Sequence, residues 1–241
     1  MIVEVVESHE AATARVQAEL TAEVAGRGAV TLGLPTGRTP MALYAALARA
    51  GLDWSRVRTF NLDEFATLGP GAPGSFRAFM DAHLFRHVNL PPEAIGFLRG
   101  DAPDEDAECA RYEGAIDAAG GLDWLLLGLG ANGHVGFNEP GPSLTAAAHV
   151  VTLLEETRRA NADGFGGDWQ RVPPRALTIG MRHVLGARRI VLMATGASKA
   201  AAVAAMVDGP LTTACPASWL QVARECLVVV DRAAAAELAR R

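Results

Sequence analysis

The stretch Leu122-Asp123-Trp124-Leu125-Leu126-Leu127-Gly128-Leu129 is the most apolar run in the chain. Its continuation, residues 130–142, is rich in glycine, proline and polar side chains. A short apolar run without alternation is typical of a strand buried on both faces, as in a parallel sheet. The pattern therefore predicts a central strand whose carboxyl end opens into an irregular loop.

Short apolar runs alternate with longer helical patterns along the rest of the sequence. The other predicted strands are residues 2–6, 29–34, 57–62, 190–194 and 227–230. The predicted helices are residues 8–25, 40–50, 75–88, 104–119 (with Asp104 as N-cap), 198–207 and 232–240. This alternation predicts a doubly wound α/β fold, with a mostly parallel sheet and helices on both faces (Rossmann-like). Since no internal repeat or low-complexity linker interrupts it, we expect a single domain over residues 1–241.

Composition excludes several classes of protein. The 241 residues include 22 basic and 27 acidic side chains, a formal net charge of −5, and 50% are apolar. The chain can therefore bury a core, and it has no overall positive charge to attract nucleic acid. It lacks an apolar stretch long enough for a membrane helix, and its three cysteines are too few and too scattered for a disulfide framework or a zinc site. We expect a soluble, cytoplasmic protein without nucleic-acid or membrane partners.

Four loops follow predicted strands and carry most of the polar residues suited to chemistry. They are residues 35–39, 63–75, 130–142 and 195–199. In an open α/β sheet, ligands bind in the crevice at the carboxyl ends of the strands. We therefore expect the functional site where these four loops meet.

Loop 35–39 is Pro35-Thr36-Gly37-Arg38-Thr39, and Pro40 is a suitable first helical residue. A strand, a Gly/Thr turn and a helix N-terminus can form an anion site, because free N–H groups and the helix dipole converge there. An ordinary βα turn would have the same pattern, and no Walker motif is present. The only lysine among the 22 basic residues, Lys199, lies in another of the four loops; a compact ammonium there would suit an anion, but an arginine-biased composition explains it equally well.

Residues Gly128, Gly130 and Gly133 match the dinucleotide-binding pattern G-x-G-x-x-G after a strand. That pattern requires a helix to begin at its third glycine. Here the continuation, residues 134–142, contains two prolines and two more glycines, which are incompatible with a regular helix. We therefore predict no dinucleotide site.

Two groups of polar residues could carry acid–base chemistry. His134 precedes Glu139 by five residues, a spacing that suits an imidazole oriented by a carboxylate. Asp63 and Glu64 follow a strand, where a carboxylate could abstract a proton from carbon. Spacing alone equally allows solvated loop residues, and three suitable metal ligands do not converge in the sequence.

Four strings together are more specific than any one of them: Leu32-Gly33-Leu34-Pro35-Thr36-Gly37, Thr59-Phe60-Asn61-Leu62-Asp63-Glu64-Phe65, Gly133-His134-Val135-Gly136-Phe137-Asn138-Glu139-Pro140 and Ala176-Leu177-Thr178-Ile179-Gly180. Their order and spacing, over about residues 28–231, resemble the glucosamine-6-phosphate deaminase (isomerase) family. Related 6-phosphogluconolactonases share the fold but differ around residues 137–140, so the third string favours the deaminase branch.

The resemblance implies a reaction and roles for individual residues. Glucosamine 6-phosphate and water would give fructose 6-phosphate and ammonia, with no metal or organic cofactor. His134 would open the sugar ring, Asp63 would move the C2 proton to C1, and Glu139 would orient the histidine. Asn132 completes the implied catalytic set, and Lys199 would contact the phosphate. The substrate-binding residues are then Thr36, Gly37, Arg38, Thr39, Gly133 and Lys199.

The sequence departs from the family pattern at three positions. Asn132 stands where many members have aspartate, and a neutral amide supports the imidazolium less. Arg38 replaces a glycine, and Asp163 replaces a phosphate-binding arginine. We therefore expect Arg38 and Lys199 to bind the anion jointly, with Asp163 pairing to Arg38, unless the substrate differs at its far end. The glycine-rich residues 163–168 suit either a mobile lid or a flexible surface loop.

Three activities are compatible with this resemblance. The first is deamination of an amino-sugar phosphate. The second is a lactonase or a non-deaminating sugar-phosphate isomerase on the same fold, and the third is a non-catalytic sugar-phosphate sensor. The presence of Asp63, His134 and Glu139 together argues against a sensor, which has no use for a carbon base.

Overall fold

A seven-stranded parallel sheet forms the centre of the molecule in a computed structural model, which describes residues 1–239. Its strands are β1 (Ile2–Val6), β2 (Val30–Leu34), β3 (Val57–Asn61), β5 (Ile95–Gly96), β6 (Trp124–Leu127), β9 (Arg189–Ala194) and β10 (Cys226–Asp231). The order is β1-β10-β9-β6-β2-β3-β5, and every neighbouring pair is parallel. The predicted doubly wound fold is confirmed.

Helices cover both faces of this sheet. They are α1 (His9–Gly26), α2 (Met41–Arg49), α3 (Phe76–His83), α4 (Glu105–Ala118), α6 (Met181–Gly186) and α7 (Ala200–Val207). A further helix, α5 (Glu155–Ala160), packs instead on the 3-10 turns at 162–165 and 169–171. Side chains of a strand alternate between faces. In β6, Trp124 and Leu126 accordingly pack with α1, α2 and α3 in one core, and Leu125 and Leu127 pack with α4, α6 and α7 in the other. Both cores contain mainly aliphatic side chains.

A second, antiparallel sheet lies beside the first and was absent from the sequence prediction. It contains β4 (Asp63–Phe65), β7 (His149–Thr152) and β8 (Arg175–Thr178), in the order β4-β8-β7. Asp63 pairs with Thr178 in this sheet. The small sheet therefore fixes the backbone of Asp63, one residue beyond the loop that leaves β3.

Observed element bounds differ from the predicted ones in a few places. The predicted helix at 75–88 ends at His83 and continues as a 3-10 turn at 85–87, and Pro40 is the residue before α2 rather than its first. The prediction of a helix at 232–240 is wrong: residues 232–237 form turns, and residue 240 lies outside the described part of the chain. One helical bond forms, from the N–H of Ala235 to the Asp231 carbonyl four residues back, but Leu238 N–H then donates to the Ala235 carbonyl three residues back, so the helical pattern does not continue.

The predicted N-cap of α4 is confirmed, since the Asp104 carboxylate accepts a hydrogen bond from the N–H of Ala107 at 2.9 Å. Within residues 1–239, no helix combines the length and the apolar composition that crossing a bilayer requires.

Candidate active site

A cleft of about 250 Å³ opens at the carboxyl ends of the central strands. It lies between the neighbouring strands β2 and β6. The sheet continues from β2 to β3 on one side and from β6 to β9 on the other, and doubly wound folds bind ligands at such a point. Side chains from all four predicted loops, and from α5, line it. Eight of the ten predicted site residues are among them: Thr36, Gly37, Arg38, Thr39, Asp63, Asn132, His134 and Lys199.

Asp63 lies in this cleft with its residue only 6% exposed. Burial, and then the neighbouring charge of Glu64, raise the pKa of its carboxyl to about 8. The backbone of Gly136, with φ +56°, lies beside this carboxyl, and a Cβ at that position would be 3.6 Å from Asp63 Oδ2. The carboxyl is thus a base of raised proton affinity that faces the cleft.

Glu64 is buried as well, but it has a structural role. Its two oxygens accept hydrogen bonds from the N–H groups of Phe65, Phe76 and Arg77 and from the Ser75 hydroxyl, at 2.8–3.0 Å. These bonds fix the N-terminus of α3 to β4. Successive residues of a strand face opposite sides, so the Asp63 carboxyl faces the cleft and the Glu64 carboxylate faces α3.

His134 forms an ion pair with Glu139, which lies behind it and is not part of the cleft wall. His134 Nδ1 is 3.2 Å from Glu139 Oε2. Burial would raise the pKa of Glu139, but the hydrogen bond and the charge of His134 outweigh it, and the pKa is lowered. The imidazole packs on Gly130, where a Cβ would lie 2.5 Å from ring atoms. Gly130 therefore makes room for the histidine.

Asn132 connects this pair to a residue that sequence reasoning missed. Its Nδ2 donates to Glu139 Oε2 at 3.0 Å and to Glu156 Oε1 at 2.7 Å, while its Oδ1 accepts from the N–H of His134 at 3.2 Å. Glu156 is on α5 and lines the cleft. In the sequence, Glu155-Glu156 resembles a solvated first turn of a helix, so no pattern distinguished it.

The loop that carries His134 is held by buried hydrogen bonds. Asn138 Nδ2 donates to the carbonyls of Val135 and Ile179 at 3.0 and 2.9 Å, and Thr178 Oγ1 accepts from the N–H of Phe137 at 3.1 Å. Gly133 has φ +86°, and a Cβ there would lie 2.7 Å from Cys215 Sγ. Gly133 therefore has a structural role beside Cys215, and its predicted contact with substrate stays a prediction.

Two cations contribute to the cleft. Arg38 and Lys199 both line it, and burial, followed by the charge of Arg38, lowers the pKa of Lys199. Hydrogen bonds fix the two loops that carry these cations. The Tyr44 hydroxyl donates to the Pro35 carbonyl in loop 35–39, and the Asp231 carboxylate accepts from the N–H of Gly196 in loop 195–199 at 3.0 Å. Two positive groups at the end of loop 35–39 suit an anion.

Asp163 pairs with Arg38 at the mouth of the cleft. Arg38 Nη1 lies 3.3 Å from Asp163 Oδ2, with the two side chains 79% and 74% exposed. Residues 162–165 form a 3-10 turn, and the Phe165 ring packs on Phe65 at 5.4 Å between centroids. The segment proposed as a lid is therefore anchored to β4, next to Asp63.

Within residues 1–239, no group of three or more His, Cys, Asp or Glu side chains is arranged to hold a metal ion. The cleft combines a carboxyl with raised pKa, a histidine–carboxylate pair and two cations.

Comparison with known proteins agrees with this arrangement. Residues 5–229 match the family described as glucosamine-6-phosphate isomerases/6-phosphogluconolactonase. The chain is 48% identical to glucosamine-6-phosphate deaminase 2 of Giardia intestinalis, over 86% of this chain and 81% of that protein. It is 47% identical to glucosamine-6-phosphate deaminase 2 of Bacillus subtilis (strain 168), over 86% and 85% respectively.

Solved structures show the same fold. A structure described as a monomeric glucosamine-6-phosphate deaminase matches with a TM-score of 0.95 and 37% identity, over 98% of this chain and 100% of that one. A 6-phosphogluconolactonase from Thermotoga maritima matches with a TM-score of 0.77 and 17% identity, over 96% and 99%. At that identity the second match shows the fold alone.

Proposed function

The chain belongs to the family of glucosamine-6-phosphate isomerases and 6-phosphogluconolactonases, and from this premise we propose that it is a glucosamine-6-phosphate deaminase. It converts glucosamine 6-phosphate and water to fructose 6-phosphate and ammonia. Relatives with that name are 47–48% identical over most of the chain. The observation that carries the proposal is that Asp63 and His134, from two different loops, line one cleft with Arg38 and Lys199.

Ring opening is the first step. The His134–Glu139 pair, with Nδ1 and Oε2 3.2 Å apart, holds an imidazole that can transfer a proton to the ring oxygen while the C1 hydroxyl loses one. The carboxylate stabilises the imidazolium between the two transfers. A positioned acid–base group of this kind is typically worth ~10²–10⁴ in rate.

Isomerisation and deamination follow. Asp63 takes the proton from C2 of the open-chain aldose, which gives an enolamine, and returns it to C1. The resulting C2 imine is hydrolysed by water to the ketone, and the nitrogen leaves as ammonia. A base whose pKa lies near the working pH is efficient in such a transfer, and the pKa of Asp63 is raised to about 8. When C2 loses its proton the electron pair is taken up by the C1 carbonyl, and when C1 is protonated the nitrogen lone pair forms the C2 imine, so these steps require no added cofactor.

Arg38 and Lys199 are proposed to hold the 6-phosphate. A guanidinium can bind two phosphate oxygens, and a half-buried ammonium adds a point charge. In this arrangement Arg38 supplies the guanidinium, and Asp163 exchanges its contact with Arg38 for solvent when the phosphate binds. The 3.3 Å contact is highly exposed, so breaking it costs little.

The decisive experiment is a coupled assay for ammonia from glucosamine 6-phosphate, with 6-phosphogluconolactone hydrolysis assayed in parallel. We expect ammonia release by the native protein and its loss, by at least about 10³-fold, in Asp63→Asn. A protein that hydrolyses the lactone and releases no ammonia would refute the proposal. Binding of the phosphosugar to Asp63→Asn, measured by calorimetry, controls for loss of the fold.

We also propose the cytoplasm as the location. The support is that Cys109, Cys215 and Cys226 are free and buried, as is usual where thiols are kept reduced.

A further inference from the structure

We propose that Glu156 is a positioning residue that acts through Asn132 on the His134–Glu139 pair, and that it supplies the negative charge which an uncharged residue at position 132 lacks. The inference rests on the proposed function for its role in turnover. The positions it assigns rest on contacts among four residues: Asn132, His134, Glu139 and Glu156.

The Asn132 amide is held in one orientation. Its Nδ2 lies 3.0 Å from Glu139 Oε2 and 2.7 Å from Glu156 Oε1. A carboxylate only accepts hydrogen bonds, so the amide nitrogen must face both acids, with one hydrogen for each. The amide oxygen is then directed to the His134 N–H at 3.2 Å. Glu156 thus completes an arrangement in which every polar atom of the amide is used.

Glu156 is one of several charged groups near His134, and its charge acts on the imidazole. Glu139 faces the ring from the same loop, Glu156 approaches from α5 and Asp63 lies in the same cleft. Arg38 and Lys199 are the cations that line this cleft. Among the acids, Glu139 is paired directly with the imidazole and Asp63 faces the substrate. Glu156 adds a second anion one amide away from the pair, which favours the protonated ring.

The same contacts make a second carboxylate at position 132 unfavourable while the exposed Glu156 keeps its present orientation. An aspartate there would place an oxygen where Nδ2 now lies, within about 3 Å of oxygens of both glutamates. Neither neighbour could donate to it unless one were protonated. We therefore infer that the amide at 132 and the carboxylate at 156 depend on each other.

The first test is Glu156→Gln, whose amide oxygen can still accept from Asn132. We expect kcat to fall by about three- to tenfold with a smaller change in KM. We also expect the imidazole of His134 to titrate at lower pH, followed by NMR of histidine-labelled protein without substrate. Glu155→Gln is the matched control, because Glu155 is the preceding residue of α5, pairs with Arg159 at 2.7 Å and does not line the cleft. Unchanged kcat and an unchanged titration in Glu156→Gln would overturn the proposal.

The second test is a double-mutant cycle. Asn132→Asp alone should lower kcat by at least about tenfold, whereas Asn132→Asp combined with Glu156→Gln should return to within a few-fold of the native value. Strictly multiplicative effects of the two changes would contradict the mutual dependence. If the native protein released no ammonia, the proposed function would fail, but the substrate-free titration of His134 would still decide this inference.

Discussion

At the scale of single residues, two adjacent carboxylates differ because of what surrounds each. Asp63 is buried against the cleft with its pKa raised to about 8, whereas Glu64 accepts four hydrogen bonds and holds α3 to β4. Strand alternation separates the two environments. Spacing in the sequence could identify the pair, but it could not show which member faces a ligand.

The pH dependence of turnover should report Asp63. Its carboxyl must lose a proton to act as a base, so we expect kcat/KM for glucosamine 6-phosphate to rise with pH and level off above an apparent pKa near 8. The measurement is an initial-rate profile between pH 6 and 9.5. The substrate amine could titrate in the same range, so Glu64→Gln is needed as a second arm. Removing the charge of Glu64 should move the profile to lower pH, and a profile that does not move would argue against Asp63.

Asp63 should also make stability depend on pH. Its folded-state pKa is raised from 3.8 to about 8, so its contribution is complete below pH 3.8 and is lost as pH rises through 8. Asp63→Asn removes that loss. We expect the variant to melt above the native protein at pH 9 by about 2 °C or more, and by less at pH 5.5, in scanning calorimetry. The same difference at both values would exclude a buried, protonated Asp63.

At the scale of elements, glycines shape the catalytic loop for reasons unrelated to nucleotide binding. Gly130 leaves space for the His134 ring, and Gly133 adopts a positive φ beside Cys215. The G-x-G-x-x-G match is thus explained by side-chain packing. Residues 131–134 are a turn, as the prolines and glycines that follow them predicted.

Gly130→Ala should displace the histidine without unfolding the protein. A Cβ 2.5 Å from the ring forces the imidazole to move, while the backbone angles at this position allow alanine. We expect kcat to fall about 10²-fold with a similar Tm. Gly141→Ala is the control in the same loop, since its Cβ would meet nothing closer than 3.7 Å and the residue does not line the cleft. Equal activities of the two variants would refute this packing role.

Sequence patterns predicted the large elements well and the small ones poorly. The central parallel strands have apolar runs because both faces are buried, and all the parallel strands except β5 begin within two residues of their predicted start. β5 has only two residues and was not predicted. The strands of the small sheet are three or four residues long and partly polar, so no periodicity could develop. The alanine-rich residues 232–237 have high helix propensity, but so short a segment does not form a helix without tertiary support. Glu156 escaped notice because its importance depends on Asn132, 24 residues away.

At the scale of the whole molecule, the charge distribution is uneven. The formal net charge is −5, yet Arg38 and Lys199 make one end of the cleft positive. Asp63, Glu139 and Glu156 lie around His134. A cleft with separated charges suits a substrate that has an anionic phosphate and a cationic amine at different carbons.

Binding of the phosphosugar should therefore depend on salt through Arg38. We expect KM to rise with ionic strength, and Arg38→Ala to raise KM about tenfold at low salt and to weaken the salt dependence. Arg232→Ala is the matched control, because Arg232 forms an exposed ion pair with Glu7 and does not line the cleft. Kinetics at several salt concentrations measure both slopes. An unchanged KM in Arg38→Ala would remove Arg38 from the phosphate site.

The position of β1 has a consequence for biosynthesis. Among residues 1–239 this edge strand pairs with β10 alone, and Ile2 lies opposite Leu227, so the strand cannot pair until a segment 225 residues further along the chain has been translated. Until then it exposes a ladder of unpaired amides and the side chains of Ile2 and Val5, which remain 70% and 51% exposed even in the finished protein. Nascent chains of this protein should be recognised by chaperones through residues 2–6 until β10 has been translated and pairs with them.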